Sequence, residues 1–278
     1  MLNPIKMLKV IALCLTAQLW GNAHAADTIS VAGKYIEKPM KVMVALPSSY
    51  DRGDTPSKFP TIYLLNGHGG DYRNWSQIVD IDSVATAMNA IVVCPSGRNS
   101  WYWDSPVVPG MQMESFIIKE LVPEIDRRYR TRTDAAGRAI TGLSMGGHGG
   151  LWLGMRHPDV FGTAGSTSGG VDIRPFPESW HMADFLGKRD EFPERWDSHT
   201  VINLVDSIQP GKPNIIFDCG TDDFFYEVNC QLDKALNDRK IPHRFLTAPG
   251  GHWNGYWRKS IHPQLEFFRR AFNGTLDI

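Results

Sequence analysis

An apolar, strand-like run at residues 138–141 leads straight into Gly142-Leu143-Ser144-Met145-Gly146-Gly147, and a helix-compatible stretch follows from Met145 to Met155. A serine held between glycines at the junction of a strand and a helix requires a sharp turn. The serine backbone is forced into a strained conformation there, and only small neighbours leave room for it. Such a turn lifts the hydroxyl clear of a sheet and commits the chain to a strand-turn-helix unit with a serine at its apex. The G-x-S-x-G pattern also recurs by chance in glycine-rich loops, so its weight comes from this context and from the partners the chain supplies.

A serine hydroxyl is a poor nucleophile near neutral pH, so a base must take its proton, and a carboxylate must hold that base in the right tautomer. In a sheet of this kind the order is serine, acid, histidine. A second apolar run, 214–217, ends in Asp218-Cys219-Gly220-Thr221-Asp222-Asp223, and a third, 244–248, ends in Pro249-Gly250-Gly251-His252. Both place polar residues just past the carboxyl end of a strand, where open α/β sheets build their sites. His252 is the candidate base. Asp223 is the candidate acid, with Asp222 as its alternate and Asp218 third; one of Asp222 and Asp223 also suits the N-cap of a helix over 224–238.

The oxyanion of an acyl transfer needs backbone donors. The Met145 amide, at the start of the helix after the elbow, is one by construction. The second is expected from His68, in the glycine-rich turn Asn66-Gly67-His68-Gly69-Gly70 that follows the apolar run 61–65. No Cys, His or carboxylate clusters with His68 at ligand spacing, so no metal or other cofactor is expected. His148, one turn past the serine, reads as a packed helix residue.

Strand-like runs near residues 61, 90, 138, 161, 214 and 244 alternate with helical stretches, the clearest at 112–129, where Met113, Phe116, Ile117, Leu121 and Ile125 recur on one face. This alternation predicts an α/β protein with a mostly parallel, doubly wound sheet, entered by an antiparallel hairpin over 28–47. With 278 residues and 42% hydrophobic composition the chain can form one such domain over 26–278. A formal net charge of −1 and the lack of a basic, aromatic-interleaved run exclude a nucleic-acid partner. Lys6 and Lys9, the apolar run 10–20 and Ala23-His24-Ala25 form a signal-peptide pattern over 1–25, predicting a periplasmic or secreted protein. That run is too short to span a bilayer, and no later segment is longer, so no membrane span is expected. Leu13 before Cys14 argues against a lipid anchor. Cys94, Cys219 and Cys230 remain, an odd number that is no disulfide framework.

YLLNGHGGD at 63–71, ELVPEIDRRYRT at 120–131, TGLSMGG at 141–147, CGTDDF at 219–224 and GGHWNGYW at 250–257 together resemble the putative-esterase family of α/β-hydrolases, over about residues 40–268. That family includes S-formylglutathione hydrolases, tributyrin esterases, feruloyl and acetylxylan esterases, and mycolyltransferases. The resemblance implies the α/β-hydrolase fold, nucleophile Ser144, acid Asp223, base His252 and oxyanion amides of His68 and Met145. One departure is Asn66, where many relatives carry histidine.

The resemblance and the export signal imply a serine carboxylesterase acting on a small-molecule or carbohydrate ester, acetyl or feruloyl, through an acyl-enzyme on Ser144. An acyltransferase with a sugar hydroxyl as acceptor is the second reading, and a non-catalytic carbohydrate-binding protein the third. Trp101 and Trp103, after the run through Cys94, and Trp253, beside the base, are candidate pocket residues; the alternative for the first two is loop packing. Residues 170–213, with Phe176, Trp180, Phe185, Phe192 and Trp196, are expected to form a partial lid or a long crossover.

Overall fold

The computed structural model describes residues 25–51, 57–209 and 211–278. The expected export signal, with Cys14, lies outside the described residues apart from Ala25. Eight strands, β1 (Asp27–Val31), β2 (Met40–Ala45), β3 (Thr61–Leu65), β4 (Ile91–Pro95), β5 (Arg138–Gly142), β6 (Thr163–Thr167), β7 (Asn214–Gly220) and β8 (Arg244–Ala248), form one sheet in the order β1-β2-β4-β3-β5-β6-β7-β8. β1 pairs antiparallel with β2, the expected entry hairpin, and β2 also runs antiparallel to β4. Every pairing from β4 through β3, β5, β6 and β7 to β8 is parallel.

Successive side chains of a strand point to opposite faces, so the central strands feed two cores. Tyr63, Leu65, Val93, Ile140 and Phe217 face one layer; Ile62, Leu64, Val92, Ala139 and Ile216 face the other. The second layer is closed by α1 (Ile81–Met88) and α8 (Asn254–Phe272). On the first lie α2 (Met113–Phe116), α3 (Val122–Arg128), α4 (Met145–Arg156) and α7 (Tyr226–Asp238). Strands buried on both sides read as continuous apolar runs, which is why 61–65 and 91–95 were legible without alternation.

The expected helix over 112–129 buries the predicted Met113, Phe116, Ile117, Leu121 and Ile125. It is interrupted by a π-turn, Ile117–Leu121, between α2 and α3. Pro123 lies just beyond that turn; it lacks an amide proton and its ring crowds the carbonyl of Lys119, which disfavours a regular α-turn there. The described residues of 170–213 belong to the crossover from β6 to β7, with α5 (Met182–Leu186), α6 (Pro193–Ser198) and a 3-10 segment, Val201–Ser207, the last packed against α4 and α7; Met182, Leu186, Trp196, Val201 and Val205 are buried. Among the described residues no helix is long and apolar enough to cross a membrane.

Candidate active site

The β5 to α4 connection has the predicted elbow geometry. Ser144 takes φ 58° and ψ −118°, a region L-residues avoid, and its amide donates to the Thr167 carbonyl at 3.0 Å. A Cβ on Gly146 would collide with the Leu65 carbonyl, and one on Gly142 with the backbone of Gly146. Both contacts are to backbone, which cannot swing aside, so the two glycines are required by close approach.

β7 and β8 deliver the other two groups. The His252 imidazole stands with Nε2 2.8 Å from Ser144 Oγ and Nδ1 2.9 and 3.1 Å from the two Asp223 oxygens. With Nδ1 protonated and donating to the carboxylate, Nε2 is left as the acceptor for the serine hydroxyl. Asp223 is buried, and its Oδ1 also accepts from the Phe225 amide at 2.9 Å, so it orients the imidazole and caps the turn into α7 at once. Asp222 is exposed, and its amide ties the acid loop to the base loop through the Gly250 carbonyl at 2.9 Å. Asp218 lies beneath the site, accepting from Thr167 Oγ1 at 2.5 Å and Gln264 Nε2 at 2.6 Å. Burial pushes its carboxyl up to about 7.

Among the described residues, the amides of Gly67, Gly69 and Gly70 are each held by a protein acceptor: Asn74 Oδ1, Asn99 Oδ1 and the Gly67 carbonyl. The His68 amide has no such partner, and neither does that of Met145. The loop abuts the elbow, since a Cβ on Gly67 would stand 3.4 Å from Ser144 Cβ. Asn66 fixes this loop to the one after β4: its Oδ1 accepts from the Gly97 amide at 2.7 Å and the Tyr102 hydroxyl at 3.1 Å. The His68 imidazole stacks on His181 at 6.2 Å, and burial and that neighbour hold its pKa below the usual histidine range. No group of three or more Cys, His, Asp or Glu at metal-binding geometry occurs among the described residues.

The aromatic loop departs from its expected pocket role. Trp101 and Trp103 are 1% and 0% exposed; Trp103 Nε1 donates to His148 Nε2 at 2.8 Å, and the two indoles stack at 5.6 Å. Trp101 and Trp103 therefore pack the loop into the core instead of lining the site, because four ring systems, Trp101, Trp103, His148 and Trp152, close on one another there. His148 is a packed residue, driven down to about 3 by burial and hence neutral, with Nδ1 on the Gly170 carbonyl. Trp253 is 61% exposed and borders a separate cavity of about 260 Å³ between β8 and α8, behind the base loop. The rings beside His252 are Phe224 at 4.3 Å, Trp257 at 5.0 Å and Phe225 at 5.6 Å. Phe224 went unnoticed in the sequence because a Phe-Phe pair before a helix reads as core.

A solved ferulic acid esterase has the same fold at a TM-score of 0.75, is 27% identical, and aligns over 89% of this chain and 98% of its own. An acetyl esterase of Caldicellulosiruptor saccharolyticus is 24% identical over 260 residues, 87% of this chain and 97% of that protein. An esterase of Mycobacterium tuberculosis is 28% identical over 239 residues, 76% of this chain; the chain spans about half the length of that relative, 52%. The putative-esterase family model matches residues 33–268, a stretch that contains the elbow, the acid loop and the base loop in one sheet, and the chain belongs to that family.

Proposed function

We propose that this protein is a serine carboxylesterase. The observation that carries the reading is the unbroken chain Ser144 Oγ, His252 Nε2, His252 Nδ1, Asp223 at hydrogen-bond distances. In this reading His252 takes the Ser144 proton as Oγ attacks the ester carbonyl, and the resulting oxyanion is held by the amide protons of His68 and Met145. Asp223 stabilises the imidazolium. The carbon–oxygen bond to the alcohol then breaks and His252 gives its proton to the departing oxygen. Water repeats the sequence on the acyl-enzyme, releasing the acid and restoring Ser144.

The acetyl esterase and ferulic acid esterase among the similar proteins support acetyl or hydroxycinnamoyl esters of carbohydrates as substrates. The signal-peptide pattern over 1–25 supports periplasmic or secreted location. The test is a serine-directed fluorophosphonate on the purified chain, followed by peptide mapping, together with release of acetate and ferulate from simple esters. Stoichiometric labelling of Ser144 with acid release is expected. Labelling elsewhere removes Ser144 as nucleophile, and acyl transfer to an added sugar in preference to water replaces the hydrolase with a transferase.

A further inference from the structure

Phe224 is 51% exposed, directly follows the acid Asp223, and lies 4.3 Å from the His252 ring. Large aromatic side chains are mostly buried, and it is a contiguous exposed apolar patch, more than a single ring, that marks a binding surface. It does not stand alone. Trp180, partly exposed on the crossover after β6, stacks on Phe224 at 5.6 Å with the planes 25° apart, and is braced from behind by Phe225 at 5.1 Å and Phe176 at 5.6 Å. An independent feature points to the same place. Trp180 and His181 are consecutive non-glycine residues at φ 50° and 54°, a costly backbone that persists only where its surroundings hold it. The strained pair reaches from Phe224 on one side to His68 on the other, through the His181 stack.

The side of the site this wall occupies follows from the chemistry. The departing alcohol oxygen must lie within hydrogen-bond reach of His252 Nε2, which returns the proton to it, whereas the carbonyl oxygen turns toward the His68 and Met145 amides. A ring packed against His252 therefore adjoins the alcohol half of the ester. Trp253, although it follows His252 in sequence, borders the cavity between β8 and α8.

Resting on the esterase reading, we propose that Phe224 and Trp180 form the alcohol-side specificity wall, selecting esters whose alcohol carries a ring with an apolar face. A sugar and an aryl alcohol both present such a face, and the substrates below separate them.

The test compares wild type, Phe224→Ala and Phe224→Tyr on ethyl acetate, benzyl acetate, an O-acetylated methyl xyloside and ethyl ferulate. Phe224 is the better probe because Trp180 also packs against Trp101. The expected result is that Phe224→Ala lowers kcat/KM on the ring-bearing acetates about tenfold relative to ethyl acetate, mainly through KM. The ratio of ethyl ferulate to ethyl acetate stays constant, and Phe224→Tyr restores the ring preference. A loss on the xyloside alone assigns the wall to sugars; a loss on the benzyl ester alone assigns it to aryl alcohols. An equal fall on ethyl acetate would mean that Phe224 only packs the base, and a fall that follows ethyl ferulate would place the wall on the acyl side; either overturns the proposal. A wild-type protein inert on all four esters overturns the esterase reading itself.

Discussion

The serine hydroxyl, its proton acceptor and the orienting carboxylate, Ser144, His252 and Asp223, are supplied by three different parts of the chain, and each can be removed separately. Ser144→Ala should leave the melting curve close to wild type while ester hydrolysis falls by at least about a thousandfold, measured at a substrate concentration well above KM. Asp223→Asn should lower kcat by orders of magnitude, because an amide at that position favours the wrong imidazole tautomer, whereas Asp222→Asn, exposed and away from the ring, should cost less than about tenfold. The reverse ranking in steady-state kinetics would reassign the acid. Asp218 makes a stability prediction instead. Its folded pKa of about 7 is raised above the unfolded carboxyl value, so the folded state binds the extra proton and stability falls as pH rises from about 4 to about 7. Asp218→Asn mimics the neutral form, so its stability relative to wild type should increase across that window in denaturant titrations; a difference independent of pH would show that Asp218 does not titrate there. The sequence ranked Asp223, Asp222 and Asp218 by position alone, and it could not show that one is against the imidazole, one in solvent and one buried within β7.

The elements around the site were legible to different degrees, for reasons that lie in their burial. β3, β4 and β5 are buried on both faces and announce themselves as apolar runs, and the helix after the elbow is forced by the turn. α8 was not recognised in the sequence. Its apolar face, Trp257, Ile261, Leu265, Phe268 and Phe272, has regular helical spacing, but Pro263 and a charged opposite face obscure it. The elbow itself depends on the approach of α4 to β3. Gly146→Ala would push a methyl into the Leu65 backbone, so it should lower both kcat and the melting temperature, the latter by several degrees, unlike Ser144→Ala. A Gly146→Ala protein with unchanged activity would show that the elbow tolerates relaxation the packing does not suggest.

Across the whole molecule, α8 is joined to three adjacent strands by one buried side chain. Gln264 accepts from Thr141 Oγ1 of β5 at 2.6 Å and donates to the Ser166 carbonyl of β6 at 2.9 Å and to Asp218 of β7 at 2.6 Å. These strands lead to Ser144, to the Thr167 carbonyl that accepts its amide, and to the loop of the candidate acid Asp223. Gln264→Leu leaves buried polar partners unsatisfied at about 1–3 kcal/mol each, so calorimetry should find the melting temperature lowered by roughly 5 °C or more. A shift under about 1 °C would remove Gln264 as the joint. The amino-acid sequence by itself determined the elbow, the order of serine, carboxylates and histidine along the chain, the alternation of strands and helices, and the antiparallel entry, because these rest on local sterics and on which segments must be buried. Only the tertiary structure decided which carboxylate meets the imidazole, that Trp101 and Trp103 are core, and that Phe224, stacked on Trp180, lies against the imidazole. Those outcomes depend on residues tens of positions apart meeting across the sheet, and no local preference of a tryptophan or an aspartate distinguishes a buried face from an open one.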